Sequence, residues 1–329
     1  MNFFLFYYIA FLILNFFLFK YFIKFAETFK IIDKKNNFNN SATVTSGGLI
    51  IYLNLIIGNI LFYFFYDSYA ANIPRNLVIT FIFFTFLFII SFIDDKKPID
   101  PKLRFALQIL VVYFSLTSLK IYELQIPLKI SILLAVLLWT YIINIINFID
   151  GVDGFANTQI IFIFLNILLI NYNLNIEIFS KYFSLVLLPC LFIFSYFNKP
   201  HAKLYLGDTG SISLGFLVGY AIIELFILKH YTIALSLIIY PLLDCTITLI
   251  KRIYEGHPPW VKRQDYFFSK LQVINVNNKF YIFKINLIFC ILNLFFIFFQ
   301  ILFSNYFIIC NIFLAIITMA IYNKKEKLF

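Results

Sequence analysis

The acidic and glycine residues of this chain gather in a few short segments: 46–50 (SGGLI), 92–105 (FIDDKKPIDPKLRF), 147–156 (NFIDGVDGFA) and 204–215 (LYLGDTGSISLG), followed by a basic and aromatic stretch, 251–271 (KRIYEGHPPWVKRQDYFFSKL). Asn147 and Asp150 stand three apart, so on one helical turn they share a face. Asp153 falls three later, beyond Gly151, which is expected to end that helix. Asp208 precedes Thr209-Gly210-Ser211, the expected start of a new helix whose free backbone N–H groups suit a phosphate. Asp94 and Asp95 lie side by side at an expected helix end. Carboxylates crowded at the edge of apolar runs repel one another and are costly to bury unless a cation holds them. Oxygen ligands from Asp and Asn, with no His or Cys cluster, suit Mg²⁺ or Mn²⁺ rather than zinc. Lys96, Lys97, Lys102, Arg104, Lys203, Arg252 and Arg263 offer charge to neutralise a diphosphate.

Each feature alone has an ordinary explanation. Asp-Asp at a helix end is a solvated cap, Asp-Gly is a turn, and lysines beside apolar runs are topological anchors. Their collection on one side of the molecule is what points to a divalent-cation site for a phosphorylated substrate.

The elements that must position these residues are apolar helices. Of the 329 residues, 62% are hydrophobic and 13% charged, against about 25% charged in soluble domains, so a cytosolic, secreted or disordered chain is excluded. The expectation is an all-α, polytopic integral-membrane protein forming one domain over residues 1–329. Its spans are expected near 3–23, 48–66, 76–93, 103–119, 130–148, 156–173, 182–197, 210–228, 231–250, 281–302 and 304–322. That makes eleven, or ten if the last two form one broken hairpin. The first is read as a span rather than a cleaved leader, because no positive n-region or small-residue cleavage site flanks it.

Alternate loops carry 21 of the 26 Lys and Arg residues. By the positive-inside rule these face the cytoplasm, with the N-terminus outside and the C-terminus inside. The motif segments then fall in cytoplasmic loops at about 24–47, 94–102, 149–155, 198–209 and 251–280. Nucleic acid is not an expected partner, since no basic run is interleaved with exposed aromatics. Cys190, Cys245, Cys290 and Cys310 lie in apolar runs without metal-type spacing and are read as small core hydrophobes.

These segments, in this order, resemble the polyprenyl-phosphate N-acetylhexosamine-1-phosphate transferases of glycosyltransferase family 4, bacterial enzymes that begin peptidoglycan lipid, O-antigen and teichoic acid synthesis. The family pattern of GG, DD, NxxDGxDG, GDxGS and a basic loop is met by Gly47-Gly48, Asp94-Asp95, 147–154, 207–211, and Arg252 with Gly256, over roughly residues 30–275. The resemblance implies transfer of a sugar 1-phosphate from a UDP-N-acetylhexosamine to undecaprenyl phosphate, releasing UMP, with Mg²⁺ (or Mn²⁺) required, on the cytoplasmic face of a bacterial inner membrane. It assigns the metal to Asn147 and Asp208 and catalytic roles to Asp94, Asp95 and Asp150, leaving open which of Asp94 and Asp95 takes a proton. Arg104, Asp153, Arg252, Arg263 and His257 are the expected substrate contacts.

Two departures matter. The run before Gly47-Gly48 is SATVTS, where the family often has Pro and Arg. The last loop reads Asp265-Tyr266-Phe267-Phe268-Ser269, where the peptidoglycan and enterobacterial enzymes carry a histidine cluster. This favours a surface-polysaccharide branch, with the phospho-MurNAc-pentapeptide transferase as the alternative. A polytopic transporter of lipid-linked sugars is the rival of another class, but it calls for polar groups near mid-membrane, whereas the ionisable residues here crowd one face.

Three features lie within the apolar runs. Glu224, near an outer end, is close enough to water to snorkel and has no assigned role. Asp244 either supports the metal site or bonds a neighbouring helix. Gly215 and Gly219 form a GxxxG that suits close helix packing or a homodimer seam.

Overall fold

The computed structural model describes residues 2–29, 32–33, 43–65, 75–119, 121, 127–176, 178–258, 265–274 and 278–326. Helices account for nearly all of them: α1 (Asn2–Thr28), α2 (Gly47–Phe65), α3 (Arg75–Lys96), α4 (Pro101–Ser115), α5 (Leu128–Ile149), α6 (Phe155–Leu174), α7 (Ser180–Asn198), α8 (Gly207–Ile227), α9 (Tyr231–Leu237), α10 (Ile239–Tyr254), α11 (Phe267–Ile274), α12 (Asn278–Leu302) and α13 (Ile308–Glu326). Two short strands, β1 (Ile32–Asp33) and β2 (Thr43–Val44), pair antiparallel.

The boundaries follow local chemistry. At the start of α4, Asp100 accepts hydrogen bonds from the Lys102 and Leu103 backbone N–H groups, with Pro101 in the first turn. This is the arrangement in which a missing proline N–H costs nothing. Gly154 (φ 72°) and Gly207 (φ 74°) take left-handed conformations where the chain turns into α6 and α8, which glycine adopts without steric penalty. Helix α8 thus begins at Gly207 and carries Asp208 in its first turn, two residues earlier than the sequence suggested.

All eleven apolar stretches coincide with helices. By length and composition, however, eight helices among the described residues could cross a membrane, or nine if α9 and α10, bent by 72° at their junction, form one span. The apolar helix Gly47–Leu61 is shorter. Helix α4, with 15 residues, reaches only about 22 Å at 1.5 Å per residue, less than the roughly 30 Å hydrocarbon core.

Helix α8 is the central element, buried along nearly its whole length against α5, α3 and α2. A Cβ on Gly215 would lie 3.0 Å from the Ile143 Cα, and one on Gly219 would lie 2.1 Å from the Trp139 ring. The indole Nε1–H donates to the Phe216 carbonyl at 2.9 Å. The GxxxG is therefore spent on packing α8 against α5 inside the chain and offers no surface to a second copy, which removes that basis for a homodimer.

Glu224 does not snorkel. It is buried and accepts hydrogen bonds from the Phe179 N–H (2.5 Å), the Ser180 N–H (3.0 Å) and the Ser180 hydroxyl (2.7 Å). It thereby caps the N-terminus of α7 from a neighbouring helix, satisfying donors that have no intrahelical partner. Asp244 accepts from the Phe267 N–H (3.0 Å) and the Tyr240 hydroxyl (2.8 Å). It ties the start of α11 to α10, so of its two expected roles the structural one is seen. Cys190, Cys245 and Cys290 are buried free thiols, as core hydrophobes should be.

Overpacking a tight contact costs typically about 1–3 kcal/mol. Gly219→Leu should therefore cost at least that much, read as a lowered melting temperature and aggregated protein in size-exclusion chromatography in detergent. Leu217→Met, on the same buried helix, should leave both unchanged.

Candidate active site

One end of the bundle gathers the C-terminal ends of α3 and α5, the N-terminal ends of α4 and α8, and the segment that leads into α2. That segment docks first. Tyr205 N–H donates to the Val44 carbonyl (2.9 Å), Gly47 N–H to Tyr205 (2.8 Å) and Gly48 N–H to Leu206 (2.9 Å). A Cβ on Gly48 would lie 2.3 Å from the Gly210 backbone nitrogen, so only glycine allows this approach. The GG pair is thus a seat for the turn that presents Asp208.

Around that turn the charged groups converge. A single Arg104 nitrogen, Nη1, donates to Asp94 Oδ2 at 2.6 Å and Asp208 Oδ2 at 2.8 Å. The three side chains are 18%, 6% and 20% exposed. The other Asp94 oxygen accepts from the Ile99 N–H at 2.7 Å, which folds the 97–100 turn back over α3. Asp95 faces α8: its Oδ2 accepts from the Thr209 N–H (3.0 Å) and also from the Thr209 hydroxyl. A carboxylate on the first turn of a helix sits at the positive end of its dipole. Adjacent aspartates therefore do different work, Asp94 holding Arg104 and Asp95 fixing the start of α8.

Asn147 and Asp150 close the other flank. Ile143 opposes Gly215 and Trp139 opposes Gly219, so α5 and α8 run antiparallel. That direction brings the C-terminal end of α5, with Asn147 and Asp150, toward the N-terminal end of α8. Asp150 caps the end of α5, its N–H donating to the Asn147 carbonyl at 3.3 Å.

Among the described residues, no group of three His, Cys, Asp or Glu side chains forms a ready metal cage. Mg²⁺ commonly takes one or two carboxylates, several waters and substrate phosphates rather than an all-protein cage. The donors here fit that habit. Asp94 and Asp208 already share one positive group, the Arg104 guanidinium.

The structure moves other expected contacts elsewhere. Asp153 is buried and paired with Lys279 (Nζ to Oδ2, 3.0 Å), while its Oδ2 also accepts from the Ala202 N–H at 3.3 Å. It is an internal anchor here. Arg252 is buried beneath the Tyr266 ring, 4.8 Å from its centroid, and donates through Nε and Nη2 to Asp265. It ties the end of α10 to Asp265, just before α11. Burial raises the Tyr266 phenol well above its ordinary pKa. His257 is half-buried, its backbone N–H bonded to the Arg252 carbonyl (2.9 Å). Arg263 lies outside the described residues.

Several supporting residues escaped the sequence reading. Asn144, three before Asn147, donates to Gln108 Oε1 at 2.8 Å, and Gln108 stands one turn along α4 from Arg104. Asn198 accepts from the Gly154 N–H (3.1 Å) and donates to the Leu204 carbonyl (2.8 Å), linking the loops before α6 and α8. The three- and four-residue spacings to Asn147 and Arg104 were the available signal for Asn144 and Gln108; for Asn198 there was none.

The family model of glycosyl transferase family 4 matches residues 77–226. The chain is 29% identical over 220 residues to a phospho-N-acetylmuramoyl-pentapeptide-transferase of Caldicellulosiruptor bescii, covering 59% of this chain and 64% of that protein. It is 28% identical over 217 residues to the protein of the same name from Staphylococcus haemolyticus, covering 59% and 65%. Against that of Streptococcus pyogenes serotype M49 it is 28% identical over 260 residues, covering 70% and 74%. The matched stretch spans slightly less than two thirds of the first two relatives. These matches support glycosyl transferase family 4.

Replacing Arg104 by Gln leaves two carboxylates without their shared cation. The expected loss is about 1–3 kcal/mol, measured by thermal unfolding in detergent, with Arg104→Lys recovering part of it. An unchanged melting temperature in Arg104→Gln would show that the bridge is not formed in solution.

Proposed function

We propose that this chain is a polyprenyl-phosphate sugar-1-phosphate transferase, moving an N-acetylhexosamine 1-phosphate from a UDP-sugar to undecaprenyl phosphate and releasing UMP. The observation that carries this reading is the meeting of α3, α4 and α8 at one group, with Asp94 and Asp208 sharing Arg104 at 2.6 and 2.8 Å. Such a group suits a reaction between two anions. In phosphoryl transfer the protein mainly aligns the partners and neutralises charge on the in-line oxygens.

In this reaction a phosphate oxygen of the lipid attacks the phosphorus that bears the sugar. The bond from that phosphorus to the bridging oxygen breaks, and UMP carries away the electron pair. Arg104 balances charge on the incoming phosphate or the departing UMP. Asp94 or Asp95 accepts the proton of a monoprotonated lipid phosphate; Asp94 is held by Arg104 and the Ile99 N–H, and Asp95 by Thr209 on α8. Asp208 and Asn147, with Asp150 beside them, would hold the divalent ion. When bound, Mg²⁺ would supply Lewis-acid stabilisation of the diphosphate oxygens. The excess of 21 of 26 basic residues in one set of loops supports a site on the cytoplasmic face of a bacterial inner membrane, where undecaprenyl phosphate and UDP-sugars meet.

For the donor, the last loop favours a surface-polysaccharide sugar. Where the peptidoglycan enzymes carry histidines, this chain has Asp265 bound to Arg252 and Phe268 stacked on Phe155 at 4.3 Å. The names of the similar proteins favour a second reading, phospho-MurNAc-pentapeptide transfer.

The test is UMP release by purified full-length protein with undecaprenyl phosphate and Mg²⁺. The donor panel holds several UDP-N-acetylhexosamines and UDP-MurNAc-pentapeptide. Release that needs lipid and metal together, is abolished by EDTA and is lost in a folded Asp208→Asn variant is the expected result, and the responding donor decides between the two readings. Silence across the panel from folded protein would count against the reaction.

A further inference from the structure

Helix α12 lies outside the stretch matched by the family model, yet one of its faces holds the loop between α5 and α6. Lys279, Phe283 and Asn286 recur at spacings of four and three and share that face. The Lys279 ammonium, 3% exposed, meets Asp153, 5% exposed, at 3.0 Å. The Phe283 ring lies against Gly154, where an added Cβ would come within 2.9 Å of it. Asn286 donates to the Phe155 carbonyl at 3.1 Å and accepts from Gln159 at 2.6 Å. Three consecutive residues, 153–155, are therefore each gripped by α12.

The same loop is bonded on its far side to the segment that delivers Asp208. Asp153 accepts from the Ala202 N–H, and Gly154 N–H donates to Asn198, whose amide donates to Leu204. Asp153 thus joins α12, the 150–154 loop and the 198–206 segment through one oxygen. We infer that Lys279 is a positioning residue for the reaction proposed above: its buried charge holds Asp153, and through Asp153 it sets the Asn147–Asp150 end of α5 against Asp208. This rests on that reading for its catalytic meaning, but not for its structural content.

The geometry explains why a lysine is used at this depth. A buried carboxylate without its partner is strongly unfavourable, so loss of Lys279 forces Asp153 to turn toward water and pull the loop with it. The Lys279 ammonium is paired with Asp153, on the loop between α5 and α6.

The experiment uses the full chain in detergent, with wild type, Lys279→Met, Lys279→Arg and the double variant Lys279→Met/Asp153→Asn. Two readouts are taken: hydrogen–deuterium exchange over 150–155 and 198–206, and steady-state UMP release. Lys279→Met is expected to speed exchange in both segments and lower kcat by about 100-fold, the scale of a 1 Å misplacement. Lys279→Arg should restore part of each. The neutral pair should recover the melting temperature without recovering kcat, because a neutral contact does not hold the loop in the same place. Unchanged exchange in Lys279→Met would overturn the inference, as would activity that follows the melting temperature across all four proteins. If wild type releases no UMP from any donor, the proposed reaction fails, and exchange alone still decides whether Lys279 fixes the two segments.

Discussion

A helix already surrounded by hydrocarbon gains little hydrophobic energy by leaving lipid for another helix, so its burial must come from close packing and satisfied polar groups. That constraint falls on α8, which is enclosed along nearly its whole length. It is met by glycine contacts at Gly48–Gly210, Gly215–Ile143 and Gly219–Trp139, where added Cβ atoms would sit 2.1 to 3.0 Å from a neighbour. Because α8 is seated this tightly, its first turn can carry Asp208 to a fixed place between α3 and α4. Every other feature of the site is built outward from that position.

At the polar end Asp94, Asp95, Asp153 and Asp208 each have a defined partner. Arg104 serves Asp94 and Asp208, the first turn of α8 serves Asp95, and Lys279 serves Asp153. Buried charge is tolerable only when paired and hydrogen-bonded, and these pairs have a second consequence. Each joins elements distant in sequence, so electrostatic satisfaction and the geometry of the site are one arrangement. The Asp94–Arg104–Asp208 group stays partly open to water, at 18% and 20% side-chain exposure for Arg104 and Asp208. That openness suits a place where ligand phosphates would exchange for protein partners.

The C-terminal part of the chain serves as a brace. Asp244 and Arg252 of α10 hold the start of α11 and the adjoining loop through Phe267 and Asp265. Tyr266 and Phe268 stack onto Phe148 and Phe155, which flank the 149–154 turn. With α12 gripping the same turn from beside it, the loop next to Asn147 and Asp150 is held on two sides by elements that carry none of the acidic motif residues.

Composition alone was enough to read the membrane class, and the eleven apolar stretches coincide with helices because an apolar run in lipid must satisfy its own backbone. The acidic and glycine motifs were legible for the same local reason: charge at the edge of an apolar run demands a partner. Partners were not legible. Asp94 and Asp95 are adjacent in sequence, yet one faces Arg104 and the other Thr209, a difference set by the direction of α3 where it meets α8. Asp153 and Arg252 had the right residue types for substrate contacts and were turned inward by Lys279 and Asp265, residues 126 and 13 positions away. Glu224 looked able to reach water and instead caps α7 across 44 residues. Residue type fixes what a side chain must find; long-range packing decides which neighbour supplies it, since the cost of an unpaired buried charge depends on position in space and not on spacing along the chain.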